Sequence, residues 1–393
     1  MAARKRWLLF GMYVLATVQF AWCYFWLTRP YVNTALYEHG LERMPFQGRC
    51  LMMLPMRLAD ASIVLHWFSK LFVVSRFWFP RPVRPEVLMQ AAINVVSLLV
   101  AGLMTTKIYK ASSRRHLLTP FVYPLLLVVC AATYVMHTVQ NFRFIYDLPS
   151  LAFFSVAMYL VYFRKHWAWF VLLFMVATIN RETTLLLLPL YMVDAMVVDG
   201  RMKWMRAFRW QTMAVVVPLA GYWALWQMFI RFWYYGNTSE FYPRLDWNVK
   251  SLLVPQAWPQ LLSACGYLLL FVVVMRRRIP DARLKAWLWM VPIWVAFMFS
   301  FGILIETRVF GELIPFVVCA AALIAEELLV VRMRRRIRMP RLRHSLRETT
   351  AETGAWGGYG PGLGAAPVMR QEAGVAEPRR VAVFKGVERA SGV

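Results

Sequence analysis

The sequence predicts an all-α polytopic integral membrane protein with about ten transmembrane helices. Three observations carry that expectation. Hydrophobic residues make up 60% of the 393, more than a soluble chain of this size can cover with polar groups. Apolar runs near or above the roughly 18 residues that mark a membrane helix recur along residues 1–332. Lys and Arg gather in alternate connections between those runs, as short cytoplasmic loops do.

The first span is "WLLFGMYVLATVQFAWCYFWL", residues 7–27. It follows the basic "MAARKR", but it is long for a signal core and "TRPY" after it lacks a small-residue cleavage pattern, so it reads as a retained helix. The remaining spans are expected at 87–106, 118–138, 147–163, 167–179, 184–199, 211–231, 259–275, 286–304 and 309–331. With a cytoplasmic N-terminus, the cytoplasmic segments hold 26 Lys and Arg, the opposite side 14, and the tail after residue 348 five. That bias places both termini in the cytoplasm.

Residues 28–86 then form one long extracytoplasmic loop. Within it, 51–78 is apolar enough to suggest another span, which would turn every later basic cluster outward. Its pattern is two-faced instead: Val64, Phe68 and Leu71 form one stripe, and Ser62, His66 and Lys70 form the opposite one. That is the pattern of an amphipathic helix lying in the membrane interface. At the other end, 333–348 is a basic juxtamembrane segment suited to anionic lipid headgroups. The Gly-, Ala- and Pro-rich residues 349–393 are expected to be a disordered cytoplasmic tail.

The net charge of +25 would point to nucleic acid in a soluble protein. Here the charge sits between spans and serves topology, so no nucleic-acid partner is expected. The five cysteines are dispersed, which argues against a disulfide framework or zinc site.

Charges inside apolar stretches cost on the order of 3 kcal/mol each, so they must be paired, interfacial or functional. "ATINRETTLLLLP" splits into two short arms with Arg181 and Glu182 at a hairpin tip. Arms of this length reach only about 20–24 Å, less than the ~30 Å hydrocarbon core. The tip is therefore recessed, either as a salt-bridged turn or as the floor of a cavity. "NFRFIYDLPSLAFF" brings Arg143 and Asp147 to the same level. "LIETRVFGELIPF" adds Glu306, Arg308 and Glu312. The first loop supplies "YEHGLERMPFQGR", where Glu38 and Glu42 share a face if the segment is helical. His39 reads as a loop residue. The sequon at Asn237 lies in an aromatic outer loop that could stack sugars.

Guanidiniums hold phosphate bidentately, and a carboxylate can take a proton from an attacking hydroxyl. A carboxylate pair could instead hold a divalent cation such as Mg or Mn. The basic N-terminus, single span, long acidic first loop and paired short helices resemble the GT-C glycosyltransferases. "YDLPSLAFF", "NRETTLLLLPL", "MPFQGRCLMMLP" and "ETRVFGELIP" are similar to segments of bacterial membrane proteins near that superfamily. The resemblance implies a bacterial inner-membrane enzyme that moves a sugar from or to a polyprenyl-phosphate carrier on the extracytoplasmic face. It implies that Glu38 or Glu42 is the base and Asp147 the second acidic residue. In this reading Arg143, Arg181 and Arg308 would contact phosphate, Asp147 and Glu182 would be organising or metal-binding carboxylates, and Glu306 would belong to the same substrate-binding set. No Asp-x-Asp or adjacent acidic pair stands in the first loop, so a metal is not specified. Two rival readings are a transporter or flippase for a lipid-linked or anionic substrate, and a non-catalytic membrane scaffold.

Overall fold

The computed structural model describes residues 2–71, 73–76, 79–136, 142–240 and 242–332. Helix dominates, and the strands are short two- and four-residue pairings. Among the described residues, five helices are long and apolar enough to cross a membrane: Ala2–Leu27 (α1, apolar from Trp7), Pro85–Ser112 (α5), Trp210–Trp233 (α10), Ala282–Phe301 (α14) and Thr307–Arg332 (α15). Shorter apolar helices are Thr119–Tyr134 (α6), Asp147–Tyr162 (α7) and Trp167–Asn180 (α8). The chain is an α-helical membrane protein.

α7 is central and packs on α5, α8 and Leu187–Ala195 (α9). The most apolar window of α15 is 72% buried, against 11% for α10. The final helix therefore runs inside the bundle, while α10 presents Val217, Leu225, Phe229 and Trp233 at the periphery. Tyr123, Phe154, Trp287, Trp294 and Phe316 fill the space between helices.

Two expected spans and the expected interfacial helix differ from their sequence reading. Residues 259–275 do not form one helix. They form Trp258–Leu262 (α12) and Leu268–Val274 (α13), which follow Leu245–Leu253 (α11) and are separated by consecutive left-handed residues Cys265, Gly266 and Tyr267 (φ 52°, 62° and 64°). The expected 184–199 helix opens as a 3₁₀ turn, Glu182–Leu186, before α9 begins, and gives way to a small hairpin at Val197. The expected interfacial helix is two pieces, Met53–Ala61 (α3) and Ile63–Leu71 (α4), broken where Ser62 turns extended. In α4 only Ser69 is buried; Ile63, Val64, Trp67, Phe68 and Leu71 are exposed. The basic segment 333–348 and the tail 349–393 lie outside the described residues.

The first loop folds onto the bundle. Arg29–Pro30 pairs in parallel with Phe142–Arg143 just before α7. Val32, Tyr37, Met52, Met53 and Met56 make a second small core with Phe144, Ile145 and Tyr146. Across from it, Asn237 Nδ2 donates to the carbonyls of Gly40 (2.9 Å) and Glu42 (2.6 Å). The sequon asparagine thus fastens two loops together.

At the end of α7 opposite Asp147, Arg283 pairs with Asp194, and Trp287 donates to Asp194 at 3.1 Å. Tyr162 of α7 donates to Asp281 at 2.9 Å. Glu326 of α15 accepts from Tyr109 and Ser113 of the α5 end. Buried charges therefore occupy both ends of the bundle, not one end as the sequence implied.

Candidate functional site

The hairpin tip is where the sequence puts its most conspicuous charges, and folding buries it. α8 ends at Asn180, and Arg181 turns fully extended (φ −162°, ψ 141°). Its Nη1 donates to Asp147 Oδ1 at 3.0 Å and lies 3.1 Å from Glu312 Oε1. Asp147 opens α7 and Glu312 stands in the first turns of α15, so one guanidinium joins three helices. Glu312 Oε1 also accepts from Ser150 and Thr183, each at 2.8 Å. Arg181 is 7% exposed, Asp147 1% and Glu312 0%.

Around this triad sit two one-to-one pairs. Arg49, from the first loop, donates through Nε to Glu182 Oε2 at 2.9 Å and pairs through its other arm as well. Its guanidinium stacks 4.2 Å above the Tyr146 ring. Trp223 of α10 holds the Glu182 carbonyl at 2.9 Å. Arg308 pairs with Glu306 two residues before it and lies 3.7 Å over the Phe144 ring. The tip is thus buried, with Arg49 paired against it.

Gly311 is required by close approach. A Cβ there would overlap the Tyr134 hydroxyl. Gly311→Ala is expected to cost about 1–3 kcal/mol by overpacking, read as a lowered thermal midpoint of the purified protein; an unchanged midpoint would mean that α6 and α15 have slack.

A second centre lies where the first loop meets α5. A cavity of about 200 Å³ is lined by Thr34, Arg84, Glu86, Gln90 and Arg143, with apolar Val32, Val87 and Ile145. Arg143 donates to the carbonyls of Phe25 (3.2 Å) and Thr28 (2.7 Å), which fixes it in this wall. Glu38 stands one helical turn after Thr34 on Thr34–Glu38 (α2). Burial, reinforced by Glu86 and Asp60, raises its carboxyl above the usual carboxylate range. Its Oε1 is buried with no hydrogen-bond partner among the described residues.

The two first-loop glutamates do not share a helical face as expected. α2 ends at Glu38, and Gly40 turns left-handed (φ 80°). Glu42 Oε2 accepts from the Asn33 amide at 2.9 Å and Oε1 from the Arg43 amide at 3.2 Å. Glu42 is a loop anchor, and Glu38 is the carboxyl with an unpartnered oxygen, one helical turn from the cavity-lining Thr34 and under the influence of the cavity-lining Glu86. The structure therefore joins Asp147 with Arg181, Glu182 with Arg49 and Glu306 with Arg308, and sets Arg143 in the cavity wall apart from these pairs.

Sequence reasoning gave no role to Arg49, Arg84, Glu86 or Glu312. For Glu312 the signal was a carboxylate directly before an apolar run. Among the described residues, no group of three or more His, Cys, Asp or Glu is placed to hold a metal ion. Compared with protein-family models, curated proteins and solved structures, the chain matches none.

Proposed function

We propose that the protein is a membrane-embedded transferase that moves a sugar from or to a polyprenyl-phosphate carrier on the extracytoplasmic face of the bacterial inner membrane. In this reading the chain crosses about ten times with both termini in the cytoplasm, which the 26-to-14 division of Lys and Arg supports. Exposed Arg276, Arg277 and Arg278 would then meet anionic headgroups.

The observation that carries the reading is the cavity with Arg84 and Arg143 in its wall and the raised carboxyl of Glu38 beside it. Two guanidiniums suit a phosphate. A carboxylate with a raised pKa suits a general base. As Glu38 takes the proton of the acceptor hydroxyl, the acceptor oxygen bonds to the anomeric carbon. The carbon–oxygen bond to phosphate breaks, and the polyprenyl phosphate leaves with the electron pair, its charge held by the guanidiniums. The exposed apolar residues of α4, which packs on α5, offer the carrier chain a lipid-facing approach.

A transport reading draws on one observation, the interrupted helix at 258–274, because broken membrane helices line substrate paths in transporters. Purified protein in nanodiscs, given a labelled polyprenyl-phosphate sugar and candidate acceptors, separates the two. Transfer of label to acceptor supports the enzyme. Absence of transfer, with labelled lipid crossing the bilayer of protein-containing vesicles, replaces it by transport.

A further inference from the structure

We infer that the Asp147–Arg181–Glu312 triad is a binding site for a monovalent alkali cation, held by the carboxylate oxygens turned away from Arg181 and by neutral oxygens near them. Both carboxylates approach the same Arg181 nitrogen, at 3.0 and 3.1 Å, so they face each other across one atom. Each keeps one buried oxygen, Asp147 Oδ2 and Glu312 Oε2, with no hydrogen-bond partner among the described residues. Asn180 Oδ1, Thr133 Oγ1 and the Tyr134 hydroxyl are in the same condition.

These atoms belong to one neighbourhood. Asn180 precedes Arg181, and its amide donates to the carbonyl of Tyr146, which precedes Asp147, at 3.2 Å. The Tyr134 hydroxyl lies against Gly311, which precedes Glu312. Thr133 is 0% exposed and its carbonyl accepts from Thr307 at 3.4 Å. An all-oxygen set of this kind suits a hard cation.

The charge count selects its valence. Arg49 balances Glu182, and Arg308 balances Glu306. Arg143 is directed to the Phe25 and Thr28 carbonyls and shares its cavity with Glu86. Of these three clusters the triad has two carboxylates to one guanidinium, and with both ionised a single negative charge is left in a buried place, where unpaired charge is disfavoured. One positive charge closes the balance and a divalent ion would exceed it.

The test uses the full chain in detergent. Its thermal midpoint is followed while NaCl, KCl or LiCl replaces choline chloride at constant ionic strength. The expected result is a saturable rise with at least one alkali cation. Glu312→Gln should weaken the apparent affinity at least tenfold, and Thr133→Val, which removes one neutral oxygen, should weaken it by a smaller factor. Glu38→Gln, outside the site, should leave it unchanged. Identical midpoints in choline and all three alkali salts would overturn the site, as would a cation response that Glu312→Gln and Thr133→Val leave intact. The readout involves no sugar transfer, so failure here leaves the transferase reading standing, and the converse holds too.

Discussion

Replacing Arg181 by Leu is expected to destabilise the protein by about 3–5 kcal/mol, the range for breaking a buried ion pair by removing one partner. The reason is what remains. Asp147 and Glu312 would face each other with no guanidinium between them, at 1% and 0% exposure. The hydroxyls of Ser150 and Thr183 satisfy one Glu312 oxygen but supply no charge. Taking away a carboxylate should hurt less, because Glu312→Gln leaves Arg181 paired with Asp147. The order of effects is therefore set by charge balance rather than by the number of bonds lost. Combining Arg181→Leu with Asp147→Asn and Glu312→Gln should recover most of the loss, since neutral groups in place of a buried ionic cluster are often tolerated. Thermal unfolding in one detergent compares all of these variants. A midpoint for Arg181→Leu equal to that of the parent would mean that the triad holds nothing together.

How far this junction was legible depends on the kind of contact. Arg181 and Asp147 each interrupt an apolar stretch, and charges in such places need partners, so their pairing could be read from hydropathy and topology. Choosing between Glu306 and Glu312 could not. The two lie six residues apart, and the selection comes from Arg308, which takes Glu306 locally, while α15 carries Glu312 under Ser150 and Thr183. Asp194 and Arg283 show the opposite failure. In the sequence Arg283 is one more basic residue of a short connection, yet it enters the bundle to meet a carboxylate in the last turn of α9. The broken helix at 263–267 had Gly266 as its only sequence signal. Cys265 and Tyr267 rarely adopt positive φ, so the break is imposed by packing: the Cys265 side chain is fully buried and a Cβ on Gly266 would come within 3.1 Å of Ala132. The cavity near Glu38 has no signature in the sequence because it is made by tertiary contact, the first loop pairing with Phe142–Arg143. No local pattern records that pairing.

That cavity gives the second large expected effect. If Glu38 is the base, Glu38→Gln should lower the transfer rate about 10²- to 10⁴-fold, the usual contribution of a positioned general base. The pH dependence gives a sharper check. Burial first, and then Glu86 and Asp60, hold the Glu38 carboxyl protonated to higher pH than an ordinary glutamate, while His39 and Arg57 oppose them. A base works only when deprotonated, so the rate should rise with pH and its acid limb should lie above the ordinary value of about 4.3. Glu38→Gln should remove that limb. Stability should move the other way. A carboxyl whose folded pKa is raised penalises folding as pH climbs from its unfolded value through the folded one, and the penalty persists at neutral pH. The glutamine variant should therefore be at least as stable as the parent at pH 7, which separates lost chemistry from lost fold. Glu42→Gln supplies the contrast. Glu42 accepts two backbone amides, so its replacement should cost about 1 kcal/mol of stability and leave the acid limb in place. Full transfer by Glu38→Gln, or an acid limb that follows Glu42 instead, would move the base away from Glu38 and with it the role of the cavity.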